Sequence, residues 1–590
     1  VVEFAYDGHF GIGVRRKNYG RKRNGYMKVS ELKYERLTEE KITETAEAII
    51  SKVKNAKSVK EVLEAREQAN EFQREFTTAT SLSYMRYSIN TVDEFYLAEK
   101  DYYDEITPKV QNYLTEYSNA MLDSPFRAEL EKELSPLLFK LFEVQRKAMS
   151  PDIIDEMVEE NKLVTEYSNL MAGLTFDFKG ESMPLTILRR YMMDDDRETR
   201  REAYEALGRK LETESEAFDS IFDRLVKVRD RMAKKMGYKS FVELGYYRMN
   251  RISYDEKMVE KFRNNVLKDL VPVIAKLKKE NAKRMGIDGL KLYDNDVNVP
   301  GGNPKPVLDK EGIFEAAKDM YHEMSEATGS FIDMMLENEA FDVVSRKNKW
   351  GGGYCTSFAK YKQPFILANF NGTSGDIDVM THEAGHAFAD YMTADNRFKV
   401  ELDIGGMETA ETHSMSMEFF AWKYISKFFG DGTDKYKFMH VFDSLSFIPY
   451  GTIVDYYQHI VYSNPDMTPA ERNAAWNELE AQYRPYMTTE GMTYLSKGTR
   501  WQYQMHIYEI PFYYIDYCLA QVVALEFLLD SRKDYSDAFK RYLRFLSQGG
   551  EKAFPELITE AKLLSPFEEG ALEDVAGEVE KLLEELGSKL

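Results

Sequence analysis

From Met27 to Ala172 the chain holds no glycine, and Glu, Lys, Leu, Ala and Tyr recur at helical spacing. Leu32, Leu37, Ile42 and Ala46 lead into Ile49, Ile50 and Val53. Apolar residues at three- and four-residue intervals bury one face of a helix. A stretch this long, free of the residue that most readily turns a chain, reads as a succession of long amphipathic helices. Leu174 to Leu188 then alternates and turns at Lys179-Gly180, the pattern of a β-hairpin. Asp194-Asp-Asp196 opens a further helical run to about Met285, since acidic groups suit a first turn. Val299-Pro-Gly-Gly-Asn-Pro304 is a loop or a domain seam. At Trp350-Gly-Gly-Gly353 the character changes. Residues 354–358 and 364–370 read as two short strands, Gly372-Thr-Ser-Gly375 follows, and helices return to the C-terminus. The expected fold is mainly α with one small sheet. Its expected divisions are an N-terminal helical region, 27–200, and a helical catalytic region, 201–590.

The chain has 590 residues and a formal net charge of −21. Such a chain repels phosphate backbones, so no nucleic-acid partner is expected. Two cysteines, Cys355 and Cys518, exclude a disulfide framework and argue against a cysteine zinc knuckle. No run of about 18 apolar residues is present, so no membrane span is expected. Residues 1–26 break the acidic pattern with six basic residues against two acidic ones, and they lack the apolar core of a secretory signal. They read as a remnant of expression or an over-extended start, with a basic transit peptide as the alternative. With them set aside, the expected location is cytoplasmic.

His382-Glu383-Ala384-Gly385-His386 fits H-E-x-x-H. On a helix, positions i and i+4 share a face one turn apart. Two imidazoles there can reach one Zn²⁺, and the carboxylate of Glu383 can take a proton from water on the metal. Asp376 or Ser374 could cap the helix. Gly385 costs about 1 kcal/mol of helix propensity against Ala, which makes sense if something approaches the helix closely. Catalytic zinc needs a third protein ligand. The segment Met407 to Trp422 offers Glu408, Glu411, His413 and Glu418. Three glutamates lie on one otherwise apolar stripe, with His413 turned away. Buried carboxylates need partners, and a metal with its histidines would supply them. Glu411 is central and is the expected ligand. Glu408 and Glu418 are the expected acceptors for the ring N–H groups of His382 and His386.

These pieces resemble the thimet oligopeptidase and oligoendopeptidase F family of zinc metallopeptidases, in particular its bacterial, Pz-peptidase-like branch. The resemblance rests on His382 to His386, on Glu411-Thr-His-Ser-Met-Ser-Met-Glu418 placed 25 residues on, on Gly352-Gly-Tyr-Cys-Thr356 and on His506 to Tyr517. It covers Met27 to the C-terminus, with the motifs dense in 350–520. It implies a helical, clam-like body around a deep channel, with one zinc ion at the channel floor. It further implies cleavage of internal bonds in short peptides by Glu-assisted attack of zinc-bound water, folded proteins being spared. A His, His and Glu set suits zinc, with cobalt and manganese left open.

Peptide hydrolysis passes through a tetrahedral oxyanion that needs a donor besides the metal. The resemblance draws that donor from the region of His506 and the following tyrosines. His506 and Tyr514 are favoured here, then Tyr517 and Tyr513. The strands near 354–358 and 364–370 suggest that an extended peptide adds to a sheet edge beside Gly352, Gly353 and Tyr354. His9, His322, His440 and His459 read as structural, and Cys355 lacks the base that a nucleophile needs. Two rivals remain: a peptide-binding scaffold with a vestigial metal site, and an exopeptidase, for which no group anchoring a peptide end is recognisable.

Overall fold

The computed structural model describes residues 26–590 apart from Phe398 and Ile404. Of the basic stretch 1–26, all but Tyr26 lies outside the described residues. The glycine-free stretch forms long helices, among them Glu39–Asn55, Val59–Ile89 and Glu94–Leu122. Each starts at a side chain that accepts backbone N–H groups of its own first turn. Thr38 accepts from Lys41, Ser58 from Glu61, and Asp93 from Phe95 and Tyr96. Such a cap is worth about 1 kcal/mol and fixes where a helix begins. Asp196 caps the helix Arg197–Thr213 in the same way.

The buried apolar side chains form two clusters. The smaller runs from Leu37 to Phe142 and is joined from further along only by Leu402. The larger takes Val29, Leu32, Leu82 and Met85, then the chain from Met149 to Leu586. The core therefore changes near residue 149, inside the region 27–200 that the periodicity groups together. No helix among the described residues is long and apolar enough to cross a membrane.

Two small sheets accompany the helices. β1 (Phe176–Phe178) and β2 (Glu181–Met183) form the expected hairpin. Its turn residues, Lys179 and Gly180, have φ of 51° and 83°, the twist that suits a two-residue hairpin turn. The second sheet has three strands where two were expected. β3 (Phe341–Val344) runs parallel to β5 (Gln363–Phe370), and β4 (Tyr354–Phe358) runs antiparallel to β5 on its other side. The ammonium of Lys349, buried in this sheet, donates to the carbonyls of Asp342, Val344 and Ala368 and so staples β3 to β5. The order β3-β5-β4 leaves β4 at the edge. β5 is buried from Gln363 to Ala368 and leads through a short loop into the helix that carries His382.

Candidate active site

His382 to His386 lies within the helix Gly375–Thr393, the motif helix. Ile377, Met380, Ala384, Ala387 and Phe388 fix one face of it in the core, and His382, Glu383 and His386 stay half-buried on the other. Neither expected cap forms. Ser374 makes no side-chain cap bond, and Asp376 accepts the N–H groups of Asn371 and Gly372, both at 2.8 Å, which ties down the loop arriving from β5. The helix Met407–Phe420, the ligand helix, passes the motif helix at Gly385. A Cβ on Gly385 would lie 2.6 Å from Ser414 Cα and 3.1 Å from the His413 carbonyl oxygen. Glycine is what lets the two backbones meet, and the body that approaches is the ligand helix itself. The connection between the two helices is anchored on the N-terminal region. Arg66 forms a two-pronged ion pair with Glu401, 2.6 Å on each prong, and Gln73 donates to the Val400 carbonyl.

This contact brings three donors together. His382 Nε2 and His386 Nε2 each lie 3.5 Å from Glu411 Oε2. Two atoms bound about 2.0–2.1 Å from one tetrahedral ion are themselves about 3.4 Å apart. The side chains are thus spaced for a single ion, and two imidazoles with a carboxylate are a donor set that suits zinc. It is the one such gathering of three possible ligands among the described residues. Burial works against a charged Glu411, but the two imidazoles outweigh it and hold the carboxyl well below its ordinary range. The hydroxyl of Tyr513 donates to Glu411 Oε1, and Ser414 Oγ lies 3.2 Å from Oε2.

Glu418 and Glu408 separate in the structure. Glu418 Oε1 is 2.6 Å from His382 Nδ1, as expected. Glu408 does not serve His386. Its carboxyl folds back over Gly406 onto the start of its own helix and faces Asp516. Burial, reinforced by that second carboxylate, pushes Glu408 up from its ordinary value. A carboxyl in the first helical turn has backbone N–H groups within reach, and these compete with a histidine. His440, read above as structural, belongs to the site's surroundings: its Nε2 is 2.7 Å from Glu418 Oε2.

His506 and the tyrosines are also brought to the site. The rings of Tyr513, Tyr514 and Tyr517 lie 5.9, 4.9 and 5.8 Å from that of His506. Their hydroxyls differ. That of Tyr513 is taken by Glu411. Tyr517 is pushed well up by burial and by the charge of Glu411, with Glu383 in the same field, so its proton stays in place beside both carboxylates. Tyr514 is raised by burial, with Tyr450 and Cys518 adding to it. Burial also drives His506 down to about 4, against the pull of Glu411. Gln504 Nε2 lies 3.1 Å from His506 Nδ1, and the Tyr450 hydroxyl donates to Gln504 Oε1 at 2.6 Å. With its oxygen engaged, Gln504 offers an N–H to Nδ1, so neutral His506 carries its proton on Nε2.

β4 borders the motif helix. Tyr354, at its start, packs against Trp350 and Tyr84, with ring centroids 5.8 and 5.5 Å away. Gly352 lies under Trp350, whose ring atoms would be 2.1 Å from a Cβ there, and Gly353 backs onto the Leu367 carbonyl. Cys355 has a thiol pushed well up by burial and by the carboxylates of Asp390 and Glu383. That is the reverse of an activated nucleophile.

Known proteins resemble this chain along most of its length. Oligopeptidase PepF of Bacillus subtilis (strain 168) is 22% identical over 467 residues, 75% of this chain and 66% of that protein. The Oligoendopeptidase F homolog of Borreliella burgdorferi is 22% identical over 410 residues, 66% of this chain and 67% of that one. The chain spans about two thirds of the length of these curated relatives. Among solved structures, PZ peptidase A with inhibitor 2 is 43% identical with a TM-score of 0.91, covering 95% of this chain and 99% of that one. A structure described as an oligoendopeptidase F from Bacillus anthracis str. Ames is 42% identical with a TM-score of 0.88, covering 96% and 100%. Residues 29–149 match the peptidase M3 N-terminal domain and residues 190–576 match peptidase family M3. The chain belongs to peptidase family M3.

Proposed function

We propose that this chain is a zinc-dependent endopeptidase that hydrolyses internal bonds of short peptides. The observation that carries the reading is the convergence of His382 Nε2, His386 Nε2 and Glu411 Oε2 beside Glu383. His382, His386 and Glu411 would hold one zinc ion, which supplies Lewis-acid polarisation of the reacting oxygens. Glu383 removes a proton from the attacking water and returns it to the leaving amine. Its nearness to Tyr517 and Cys355 sets it between the tyrosine region and β4. As the carbonyl becomes an oxyanion, His506 Nε2–H and the Tyr517 hydroxyl donate to it. Tyr517, whose proton is held by burial and by the charges of Glu411 and Glu383, takes this role ahead of Tyr514. Tyr513 holds Glu411 instead of touching substrate. The peptide lies extended along the edge of β4, past Gly352, Gly353 and Tyr354, using main-chain hydrogen bonds that tolerate many sequences.

The restriction to short peptides follows the names of the relatives, an oligopeptidase and an oligoendopeptidase F homolog, and the channel that the resemblance implies would be its physical basis. A cytoplasmic location belongs to the same reading, in which Cys355 and Cys518 remain unpaired. The test is hydrolysis of an internally quenched peptide of about ten residues, a length suited to an extended strand. It is run with and without chelator, beside Glu383→Gln, with the products weighed. Internal cleavage that chelator abolishes, zinc restores and Glu383→Gln loses is the expected result. Terminal trimming would move the assignment to an exopeptidase. No cleavage of a varied peptide pool with zinc bound would favour a binding protein.

A further inference from the structure

We propose that Trp422 and His440 are positioning residues that, through Glu418, hold the Nδ1–H of His382 on its outer side and so present Nε2 to a metal. The proposal rests on the metal-site reading above. It follows from which groups can only donate. The indole N–H of Trp422 has no acceptor capacity, and it lies 2.8 Å from His440 Nδ1. That nitrogen must therefore accept, so the proton of neutral His440 is on Nε2. From there it is donated to Glu418 Oε2 at 2.7 Å. The ionised carboxylate can only accept as well. Its other oxygen is 2.6 Å from His382 Nδ1, which must then carry the N–H. His382 Nε2 is then the nitrogen turned to Glu411 and His386 and presented to a metal. One donor-only group, three contacts away, sets the tautomer of a ligand.

The surroundings hold this direction. Trp422 is 6% exposed and His440 8%, so bulk water has little access to substitute for either. Phe419 stacks on the His440 ring at 4.8 Å, and Tyr436 lies against it at 5.3 Å, which fixes the plane of the imidazole. The hydroxyl of Tyr436 is spent on Asp378 at 2.8 Å, so it does not compete for Glu418. Trp422 and Glu418 lie one turn apart at the end of the ligand helix, and His440 comes from the next long helix, Thr433–Ser463. The relay thus spans two segments and ends on a third, the motif helix.

The experiment is zinc affinity of the full chain, measured by competition with a chromophoric chelator at fixed pH. It compares the parent, Trp422→Phe, His440→Leu, His440→Gln and the double variant Trp422→Phe/His440→Leu. Trp422→Phe keeps a ring and removes only the N–H, so it carries the test even if His440→Leu fails to fold. Circular dichroism and thermal melting of the metal-free proteins report the fold. The expected result is a zinc dissociation constant about tenfold weaker in Trp422→Phe and in His440→Leu, in the range for groups that orient a metal-bound histidine. His440→Gln, whose amide N–H can reach Glu418, should recover most of the loss. The double variant should be no worse than His440→Leu alone. Affinity within twofold of the parent in folded Trp422→Phe overturns the relay and leaves the zinc site standing. A parent that binds no zinc overturns the metal reading itself.

Discussion

His382 and His506 face the same small volume, and each is oriented from behind by a partner that is itself oriented. On the metal side the partner is a carboxylate, Glu418, fed by His440 and Trp422. On the other side it is an amide, Gln504, fed by Tyr450. The difference matches the two tasks. A carboxylate behind an imidazole makes the ring electron-rich, which strengthens a metal ligand. It also draws a proton: burial opposes charge on His382, yet Glu411 and Glu418 raise it well above its ordinary value. An amide fixes which nitrogen bears the proton without supplying that pull. His506 therefore stays low, at about 4, and offers a neutral N–H beside the proposed metal site. In the proposed reading, one fold thus makes a ligand and a donor from the same side chain by changing what stands behind it.

The comparison can be broken in steps of decreasing size. Glu411→Ala removes a ligand from the metal side alone. Zinc should be lost at micromolar concentration and cleavage with it, read by metal analysis and the quenched-peptide assay. Glu383→Gln leaves both relays in place, so zinc should stay bound while kcat falls by about 10³-fold, within the range for a lost general base. Retained cleavage would move the base elsewhere. Glu418→Gln weakens the carboxylate behind His382, and zinc affinity should fall about 10–100-fold with little change in kcat at saturating zinc. Gln504→Leu gives the opposite split: kcat down about tenfold, zinc affinity unchanged, because only the direction of the His506 N–H is released. If Gln504→Leu lowered zinc affinity instead, the two sides would not be separate. Gly385→Ala should cost about 1–3 kcal/mol, seen as a lower melting temperature, because the new methyl meets the Ser414 backbone. It should disturb the metal side more than His506.

Local patterns carried the parts of the site that one helix can express. His382, Glu383 and His386 share a turn, and the Glu411 stripe announces itself as acid on an apolar helix. Gly385 was legible as a close approach, though not what approached. Other features depend on partners far off in sequence. β3 is four residues long and exists by pairing with β5, some twenty residues later, so no alternation marks it. His440 is 22 positions from Glu418 on another helix, and nothing in its own neighbourhood separates it from a core histidine. Glu408 looked equivalent to Glu418 by phase, but it lies in the first turn, where the helix end claims it. The placing of the tyrosines depends on a backbone feature. Phe512 has φ of 68°, so the chain turns just before the helix that begins at Tyr514, and Tyr513 stands outside that helix. Periodicity cannot order side chains across such a turn.

The joint between the motif helix and the ligand helix is tied to Arg66, and behind the ligand helix the hydroxyl of Tyr542 donates to the His413 carbonyl at 2.8 Å. The site is therefore bracketed by contacts almost 480 residues apart in the chain. During synthesis the N-terminal helices can fold first, but the bracket closes only after the segment bearing Tyr542 has left the ribosome. Ribosome-bound chains shorter than this carry the His382 to His386 sequence without the contacts that bracket it.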